Sequence, residues 1–558
     1  MRNWEDFMEE EIRAVAEAIL CRAEEAGFVR IFSHYDADGL TSAGILCNAF
    51  LRKGIPFHTS IVPKLSPQLL QALRAEDGLI LLCDMGTAQL DAVLEQLSGK
   101  NIVIIDHHAP PPPPNEPPQL PRTLETSSFS ANATNEPSSA LAAFSPSVLL
   151  NNTVAIFTSQ EVEGAVGAVG AGGASEVRDL VCEVPSITLL NPVAVTGKDE
   201  DAFCAASLAY LVAKHLGNNT DLAGLALAGA LGDRQQLSEG VNRQILDEAL
   251  NAGVVSARKG LKLSGESLRE ALLFSTDPYT ELAGSPEMVE AFCEDVGVPA
   301  ERKISELTEE EQRRIADALV ALLHTPHPQE RGEGESEKEG TRNEAGEEAG
   351  EEAESVSEKA MRLYEDALFG TTFILNEEVI ASAEEFMRII DACGRFGKGG
   401  IGIALCLRDE SVLEDARRLH RKFQTKLVLE LRRVRESRNS AVSAVKEMPN
   451  LYYFFVRERG ITGVLAGILA RYIFVDKPVV VLNTIGKPEN ETKISARCGT
   501  LLKGVVDLST AVSVAALKVG GFGGGHPSAA GASIPAGTEK AFIEEMNRIV
   551  GEQRKSLT

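Results

Sequence analysis

The segment SHYDADGLTSAGIL, residues 33–46, crowds His34, Asp36 and Asp38 together and then continues into helix-forming residues. It follows an apolar run, so the pattern predicts a strand that ends at the polar cluster and a helix that begins there. Three such side chains repel one another and lose hydration on burial unless a cation lies among them. The segment therefore predicts an α/β fold with a cation site where a strand meets a helix.

Two further apolar segments end in the same kinds of residue. LILLCDMG ends in Asp84, and IVIIDHHA ends in Asp106, His107 and His108. Short apolar runs with little alternation, separated by helices, indicate a parallel sheet that is buried on both faces. The carboxyl ends of parallel strands share one edge of the sheet, so these side chains can converge. Asp233, in ALGDRQ, ends another apolar segment and could join them.

Oxygen-rich ligation with two imidazoles suits Mn²⁺ or Mg²⁺ better than a thiolate zinc site. The surplus of ligands over one octahedron indicates two ions, which together can activate a water and clamp the phosphoryl oxygens of a displacement. Taken singly, each aspartate is more often a helix cap and each histidine is more often structural. Their combination at three strand ends favours metal, because burying so many such groups without cations would be costly.

Composition separates the chain into regions. The net charge of −26 argues against a protein that coats nucleic acid by bulk charge. Residues 329–359 alone hold 12 Glu against 4 Lys and Arg. No apolar run approaches the ~20 residues that span a bilayer, and the nine cysteines form no CxxC pair, so we expect a cytoplasmic protein with reduced thiols. The predicted regions are a first domain (1–325) with a low-complexity insertion (109–186), an acidic linker or loop (326–360), a helical connection (361–440) and a last domain (441–558).

Two features near the end of the chain could bind anions. GGFGGGHPSAAGASIP reads as a glycine-rich loop, in which Gly523, Gly524, Gly525 and His526 could cradle a backbone phosphate and Arg497 could hold a second. A flexible loop or a tight turn between strands is the alternative. Residues 417–438 hold nine Lys and Arg against two Glu. This helix is either a basic surface for nucleic acid or a solvated connection between domains.

The motifs HYDADG, LCDMG, IDHHAP and ALGDRQ, in this order, resemble the four motifs of the DHH phosphoesterase superfamily. GGFGGGHPSAAGASIP, with KISAR before it, resembles the superfamily's associated C-terminal substrate-binding domain. EEFMRIIDACGRFGK and the helix after it resemble the archaeal RecJ-like nucleases that associate with the GINS replication complex. The resemblance implies an N-terminal parallel-sheet domain and a smaller C-terminal α/β domain, joined by helical segments.

The resemblance also implies a role for each residue. His34 and Asp36 would hold one metal ion, Asp38, His107 and Asp233 would hold the other, and Asp84 would bridge the two. His108 would contact the scissile phosphate, and Asp106 would orient an imidazole. Arg497, Gly523, Gly524, Gly525 and His526 would bind substrate. One departure is His34, where bacterial members often carry aspartate, and it should alter metal preference rather than abolish binding.

The implied function is a metal-dependent exonuclease on single-stranded nucleic acid, linked to replication or repair. The family suggests 5′→3′ digestion of DNA, with action on RNA also open. One alternative is a phosphatase for oligonucleotides or nucleotides, which uses the same two domains. The other is a replication-fork scaffold that binds GINS, since a eukaryotic helicase component of this family has a degenerate metal site. Intact ligand positions favour catalysis here.

Overall fold

The computed structural model describes residues 4–108, 110, 154–155, 187–193, 203–324, 356–438, 444–485 and 490–555. These residues form two compact units. The first contains the described residues up to Arg258 together with Thr372–Lys422, and the second contains Lys259–Thr371 and the described residues from Phe423 onward. The units therefore group residues differently from the predicted boundaries at 325, 360 and 440, which remain predictions for the domains themselves.

The first unit is built on a six-stranded sheet in the order β2-β1-β3-β4-β6-β5, in which all the strand pairs are parallel. All five residues of β3 are buried, as expected for a strand that is covered on both faces. The strands are β1 (Val29–His34), β2 (Phe57–Val62), β3 (Leu79–Cys83), β4 (Asn101–Ile105), β5 (Val154–Ala155) and β6 (Ile187–Leu190). The short strand β5 lies within the predicted insertion 109–186, whose other residues up to 186, apart from Pro110, lie outside the described ranges.

The helices of the first unit alternate with these strands and continue after them. Among the described residues up to Arg258, they are α1 (Trp4–Ala26), α2 (Ala37–Lys53), α3 (Pro67–Leu73), α4 (Leu90–Gln96), α5 (Ala205–Leu216), α6 (Ala223–Gly232) and α7 (Gly240–Asn251). The predicted parallel α/β architecture is confirmed.

The chain passes to the second unit within strand β7 (Val255–Leu261), which pairs with β8 (Phe369–Leu375). Four helices in the described residues between these strands share a core that includes Leu272, Phe292 and Leu319. They are α8 (Leu268–Leu273), α9 (Pro286–Val296), α10 (Glu309–His324) and α11 (Val356–Leu368). The acidic segment 326–360, predicted as a linker, lies outside the described residues up to 355.

Two helices of the first unit, α12 (Ala383–Arg395) and α13 (Gly399–Cys406), follow β8, and the long helix α14 (Leu413–Arg438) then leads into the second unit. The predicted long helix at 412–437 is confirmed. The last part of the chain forms a six-stranded mixed sheet in the order β13-β14-β12-β11-β10-β9, so the predicted smaller C-terminal α/β domain is also confirmed. No helix in the described ranges combines the length and the apolarity that crossing a bilayer requires.

The strands of this sheet are β9 (Val445–Glu447), β10 (Tyr452–Phe455), β11 (Val479–Asn483), β12 (Glu491–Arg497), β13 (Phe522–His526) and β14 (Ala529–Pro535), and its helices are α15 (Thr462–Ile468), α16 (Leu508–Lys518) and α17 (Glu539–Lys555). Leu482, Ile494, Val512 and Phe542 belong to one buried core between the sheet and α16 and α17. Helices α16 and α17 therefore cover one face of the sheet.

The glycine-rich sequence near the end was predicted to be a loop, and that prediction is wrong. Gly523, Gly524 and Gly525 lie in strand β13, which pairs in antiparallel register with β14 at the edge of the sheet. A Cβ at Gly523 would lie 2.8 Å from the Ala532 side chain, so glycine is required where the strand packs closely. This approach explains the missing side chain at Gly523, and the pairing with β14 holds all three glycines in a strand.

Candidate metal centre

The register of the parallel sheet brings four strand ends into one row. The last residues paired across β1, β3, β4 and β6 are Ser33, Cys83, Ile105 and Leu190. The residues that follow them are all polar: His34, Asp84, Asp106 and Asn191. Sequence reasoning found the first three and missed Asn191, although the same signal was present, a polar residue directly after an apolar strand.

The backbone conformation at these strand and helix ends positions the aspartate side chains. Asp36 caps the N-terminus of α2 and accepts a hydrogen bond from the Gly39 N–H at 3.1 Å. Asp84 has a positive φ of 57°, a conformation that costs free energy for a residue other than glycine. Asp233 ends α6 and is followed by Arg234, which also has a positive φ, of 60°. Strained backbone at one aspartate and directly after the other is typical of a functional site.

The first group of donor atoms surrounds His34. Its Nδ1 lies 2.8 Å from an oxygen of Asp36 and 3.4 Å from an oxygen of Asp84. The second group surrounds His107, whose Nε2 lies 3.6 Å from Asp38, 3.5 Å from Asp84 and 3.3 Å from Asp233. Asp84 is the residue that the two groups share. The six residues predicted to hold metal are therefore brought together, in the two sets that the resemblance implied.

The second group fits a cation better than it fits a hydrogen-bonded cluster. Both ring nitrogens of His107 are buried and have no hydrogen-bond partner among the described residues, although three carboxylates face Nε2. A buried polar atom without a partner costs about 1–3 kcal/mol. Ligands of one Mg²⁺-sized ion, at about 2.0–2.1 Å from it, lie roughly 3 Å apart. The donor set and its spacing thus fit a divalent cation that His107, Asp38 and Asp233 would hold.

Asp38 is positioned by the backbone of a helix far away in the sequence. It is only 1% exposed, and its two oxygens accept hydrogen bonds from the N–H groups of Ala205 (2.9 Å) and Ala206 (2.8 Å) at the start of α5. A helix N-terminus favours a negative charge. Gly229 of α6 packs beside it, since a Cβ there would lie 3.0 Å from Asp38 Oδ1. These contacts fix the carboxylate before any ion binds.

Asp106 has a different role from the other aspartates. Its oxygens accept hydrogen bonds from the Thr87 N–H and the His107 N–H, both at 2.9 Å, and from Nδ1 of His108 at 2.7 Å. The carboxylate is fully buried and its acceptor positions are occupied by the protein. Asp106 therefore orients His108, as the resemblance implied, and does not belong to the clusters of metal-type donors.

His108 is the more accessible imidazole of the pair, with a side chain that is 39% exposed. Its Nδ1 lies 3.8 Å from Asp84. Asn191, which the sequence analysis missed, donates to the carbonyl of His108 at 2.9 Å and to the Thr87 hydroxyl at 2.8 Å. The ring is thus held on one side by Asp106 and its backbone by Asn191, and the side chain is partly exposed.

The electrostatics of the cluster favour positive charge. Burial raises the pKa of Asp38 to about 8, and the Asp84 carboxylate adds to the effect. Burial alone would lower the pKa of His108, but Asp106 outweighs it and raises the pKa to about 9. Burial likewise opposes the charging of His107, yet the surrounding carboxylates hold its pKa well above the usual range. The groups attract protons where a metal ion would replace them.

Helix α12 packs against the backbone of the first motif, HYDADG. A Cβ at Gly394 would lie 1.6 Å from the carbonyl oxygen of Tyr35, so only glycine allows the helix to approach the backbone between His34 and Asp36. The next residue, Arg395, pairs with Asp391 at 2.5 Å and lies over the Tyr35 ring at 5.7 Å. This contact gives the predicted segment EEFMRIIDACGRFGK a structural role beside the cluster.

The basic residues predicted on α14 are mostly paired. Arg418 contacts Asp415, Lys426 contacts Glu458, Arg432 contacts Glu436 and Arg433 contacts Glu430. Arg435 donates to the carbonyl of Glu281. These contacts favour the interpretation as a solvated connecting helix over that of a basic surface for nucleic acid.

The predicted substrate residues lie on the C-terminal sheet. Arg497 ends β12, and its Nη1 donates to the carbonyls of Ala496 (2.9 Å) and Ala530 (3.3 Å). His526 ends β13, and both residues are in register with Ala529. Strand pairing thus brings Arg497 and His526 to the same end of the sheet.

Comparisons with known proteins agree with this organisation. Residues 28–144 match the N-terminal domain of the DHH family, and residues 449–552 match the DHHA1 domain. Uncharacterized protein MJ0831 of Methanocaldococcus jannaschii is 24% identical over 554 residues, which cover 98% of this chain and 98% of that protein.

Two crystal structures share the fold. CDC45 from Entamoeba histolytica aligns with a TM-score of 0.55 at 11% identity, covering 97% of this chain and 99% of that one. RecJ from Thermus thermophilus, in complex with Mn²⁺, aligns with a TM-score of 0.50 at 15% identity. That alignment covers 97% of this chain and 55% of the RecJ chain, so this chain spans about half the length of that RecJ.

Proposed function

We propose that this chain, a protein of the DHH superfamily with a RecJ-like fold, is a metal-dependent exonuclease for single-stranded nucleic acid. The observation that carries the proposal is the donor set around His107, whose Nε2 faces oxygens of Asp38, Asp84 and Asp233 at 3.3–3.6 Å without a hydrogen bond. A set of this kind is suited to a divalent cation. Similarity to a superfamily of phosphoesterases supplies the reaction class.

We assign two ions to the site, because Asp84 lies between two groups of donors. His34 and Asp36 would hold one ion, and Asp38, His107 and Asp233 the other. Mn²⁺ is the preferred ion in this proposal, since imidazole nitrogens among the ligands suit it better than Mg²⁺. When bound, such ions activate a water and withdraw charge from the phosphoryl oxygens.

The chain's own residues position the substrate and its charge. His108, held by Asp106 and partly exposed, would donate a hydrogen bond to an oxygen of the scissile phosphate. In the metal-free protein the Asp106 carboxylate raises the pKa of this ring to about 9. A protonated imidazole can stabilise the negative charge that develops on the phosphoryl group. Arg497, His526 and the backbone of Gly523–Gly525 would hold phosphates further along the strand.

Polarity, partners and location complete the proposal. We expect 5′→3′ digestion of single-stranded DNA, with RNA as a further substrate, in the cytoplasm and in connection with replication or repair. Association with the GINS replication complex is the proposed partnership. The fold likeness to CDC45 is compatible with a scaffold role, which could coexist with catalysis. A phosphatase for short oligonucleotides is the alternative enzyme.

Digestion of end-labelled DNA and RNA of equal length tests the proposal. The protein is incubated with 5′- or 3′-labelled oligonucleotides and Mn²⁺, Mg²⁺ or EDTA, and the products are resolved by length. Stepwise release of mononucleotides with Mn²⁺, but not with EDTA, is expected. Release of inorganic phosphate from a terminal phosphate, without shortening of the strand, would favour the phosphatase. No cleavage with either ion, together with retention on a GINS affinity resin, would favour the scaffold.

A further inference from the structure

Phe522 is an aromatic side chain that the fold leaves exposed. It is 60% exposed and begins β13, the edge strand of the C-terminal sheet. A large apolar side chain on a surface forgoes most of the free energy that burial would give it. An exposed aromatic ring beside cationic groups is the arrangement on which the bases of single strands stack.

The register of the sheet places this ring on the same face as the predicted phosphate-binding residues. Phe522 pairs with Ser533, and Ser533 pairs with Lys493. Four residues further along β13, His526 pairs with Ala529, and Ala529 with Arg497. Side chains two and four positions apart on a strand point to the same face, so both rows belong to one surface, which we call the strand-binding face (Phe522, Lys493, His526, Arg497 and the residues between them).

The middle of this face is built from small residues. Gly524 pairs with Gly531, and Gly531 pairs with Ser495. The neighbouring Gly523 points to the opposite face, where a Cβ would lie 2.9 Å from Val512 of α16. Helix α15 borders the β12 side of this face, since a Cβ at Gly463 would lie 3.2 Å from Arg497 and 3.6 Å from Ser495. The small residues that form the floor therefore lie along β13 and β14, between Arg497 and His526 at one end and Phe522 and Lys493 at the other.

The dimensions of the face and the cations at its two ends fit an extended polyanion. Lys493 is exposed and has no ion pair within the ranges that the structure describes. The carboxylate of Glu491 lies near this end and accepts a hydrogen bond from the neutral Ser533 hydroxyl, so it keeps its charge. Four residues of a strand span about 13 Å, which separates the two ends of the face by more than one nucleotide. A phosphate at Arg497 would thus leave a later base near Phe522.

We propose that the strand-binding face extends beyond the predicted phosphate site, with Phe522 stacking on one nucleobase and Lys493 contacting the nucleic-acid backbone. The proposal rests on the proposed function, because it names how that substrate is held. Stacking on an aromatic ring tolerates any base, so the contact would strengthen binding without selecting a sequence. It would act only on strands long enough to reach from the phosphate site to Phe522.

Equilibrium binding of a fluorescently labelled single-stranded oligonucleotide to the full chain, in EDTA to prevent cleavage, tests the stacking. Phe522→Ala should weaken binding about tenfold or more, and Phe522→Trp should restore it. Leu517→Ala is the matched control, because Leu517 is 70% exposed on α16, the helix that packs on the other face of the sheet. It should bind as wild type does.

A scan of abasic substitutions along the oligonucleotide locates the contact. In the wild type one abasic position should weaken binding most, and in Phe522→Ala that position should no longer differ from its neighbours. For the backbone contact, Lys493→Ala should reduce the slope of log Kd against log salt by about one. Lys540→Ala, whose side chain is 88% exposed on α17, should leave the slope unchanged.

Three outcomes would overturn the proposal, and they are distinguishable. Wild type and Phe522→Ala that bind and cleave equally well would overturn the stacking contact alone. Equal binding with a change of oligomeric state in Phe522→Ala would do the same and would assign the ring to a protein interface. A wild type that neither binds nor cleaves single strands would overturn the proposed function itself.

Discussion

The strand-end cluster of the first unit and the strand-binding face of the second unit are both positioned by a β-sheet, but they differ in burial and in charge. In the cluster, Asp38, Asp84, Asp106 and His107 are all buried, and backbone N–H groups hold the carboxylates of Asp38 and Asp106. On the face, small residues form the floor and the cationic groups are partly or fully exposed. The first arrangement concentrates negative charge, and the second offers positive charge and open space.

From this difference we expect the cluster to carry out catalysis and the strand-binding face to hold the substrate. Buried carboxylates that share a site are costly unless a cation joins them, so the cluster should respond steeply to any change in a donor. Exposed cations on a flat surface each contribute a modest, screened interaction with a polyanion. Substitutions in the cluster should therefore abolish turnover on every substrate, and substitutions on the face should weaken only long substrates.

The largest effect is expected for Asp84→Asn. Asparagine keeps the shape and tolerates the positive φ of this residue, but it removes the charge that both donor groups share. Turnover of a single-stranded oligonucleotide and of a small activated phosphodiester should both fall about 10³-fold or more. The measurement is kcat with saturating Mn²⁺ on both substrates.

Asp91→Asn is the control for this change, because Asp91 is an exposed acid in the first turn of the following helix, α4. It should keep wild-type activity. An unchanged circular dichroism spectrum must accompany the loss in Asp84→Asn. Near wild-type turnover in that variant would contradict the assignment of Asp84 as the shared ligand.

An intermediate effect is expected for Arg497→Ala. Loss of one charge-assisted contact, on the order of 1.5–3 kcal/mol, should weaken binding of a long single strand roughly ten- to hundredfold. Turnover of the small activated ester should change much less, because only the first unit acts on it. KM and kcat on the long oligonucleotide, and turnover of the ester, are measured for the same preparations.

Lys540→Ala again provides the comparison, with an exposed cation removed elsewhere in the same unit. If Arg497→Ala lost both activities equally, Arg497 would serve the chemistry directly, and the separation of the two regions would fail. If it lost neither, the strand-binding face would not hold substrate through this residue.

A smaller effect, on stability, is expected from Mn²⁺. At a concentration of 100 Kd, an ion that binds only the folded state adds about 2.7 kcal/mol to the free energy of unfolding. At one fixed Mn²⁺ concentration the gain should be larger at pH 8 than at pH 6, because ligands must release protons to bind and the Kd therefore falls as the pH rises. Thermal unfolding with and without Mn²⁺ at both pH values measures it.

The sign of this pH dependence follows from the raised pKa values. Asp38, with a pKa of about 8 in the folded protein, stabilises the metal-free fold below pH 4 and loses that contribution as the pH rises toward 8. The pKa of His107 is also raised, so its contribution to the stability of the metal-free fold likewise falls as the pH rises above the ordinary pKa of histidine. The metal-free protein should thus weaken between pH 6 and 8 while Mn²⁺ compensates. A larger Mn²⁺ effect at pH 6 would contradict a cation site at these residues.

The smallest effect is expected from deletion of residues 329–355, which carry no predicted ligand and lie outside the described residues. Their composition is that of a linker. The deletion variant should bind Mn²⁺ and digest a short oligonucleotide as the wild type does, as judged by thermal shift and product release. A folded variant without an Mn²⁺ response would show that the cluster depends on this segment.

Much of the cluster could be predicted from local pattern alone. His34, Asp84 and Asp106 each follow an apolar strand directly, and parallel strands end at one edge whatever their exact register. Asn191 obeys the same rule and could have been found. The glycine-rich segment could not be assigned from composition, because glycine is common both in loops and at close strand contacts, and only the pairing of β13 with β14 decided between them.

The sequence by itself determined the parallel α/β fold and the residue types at its strand ends, because both follow from short-range periodicity. Tertiary structure alone decided that α5 anchors Asp38 across 167 positions of sequence and that Gly394 lets α12 approach Tyr35. It also decided that Phe522 shares a face with Arg497. These facts depend on packing and register between distant segments, which carry no signal in the spacing of neighbouring residues.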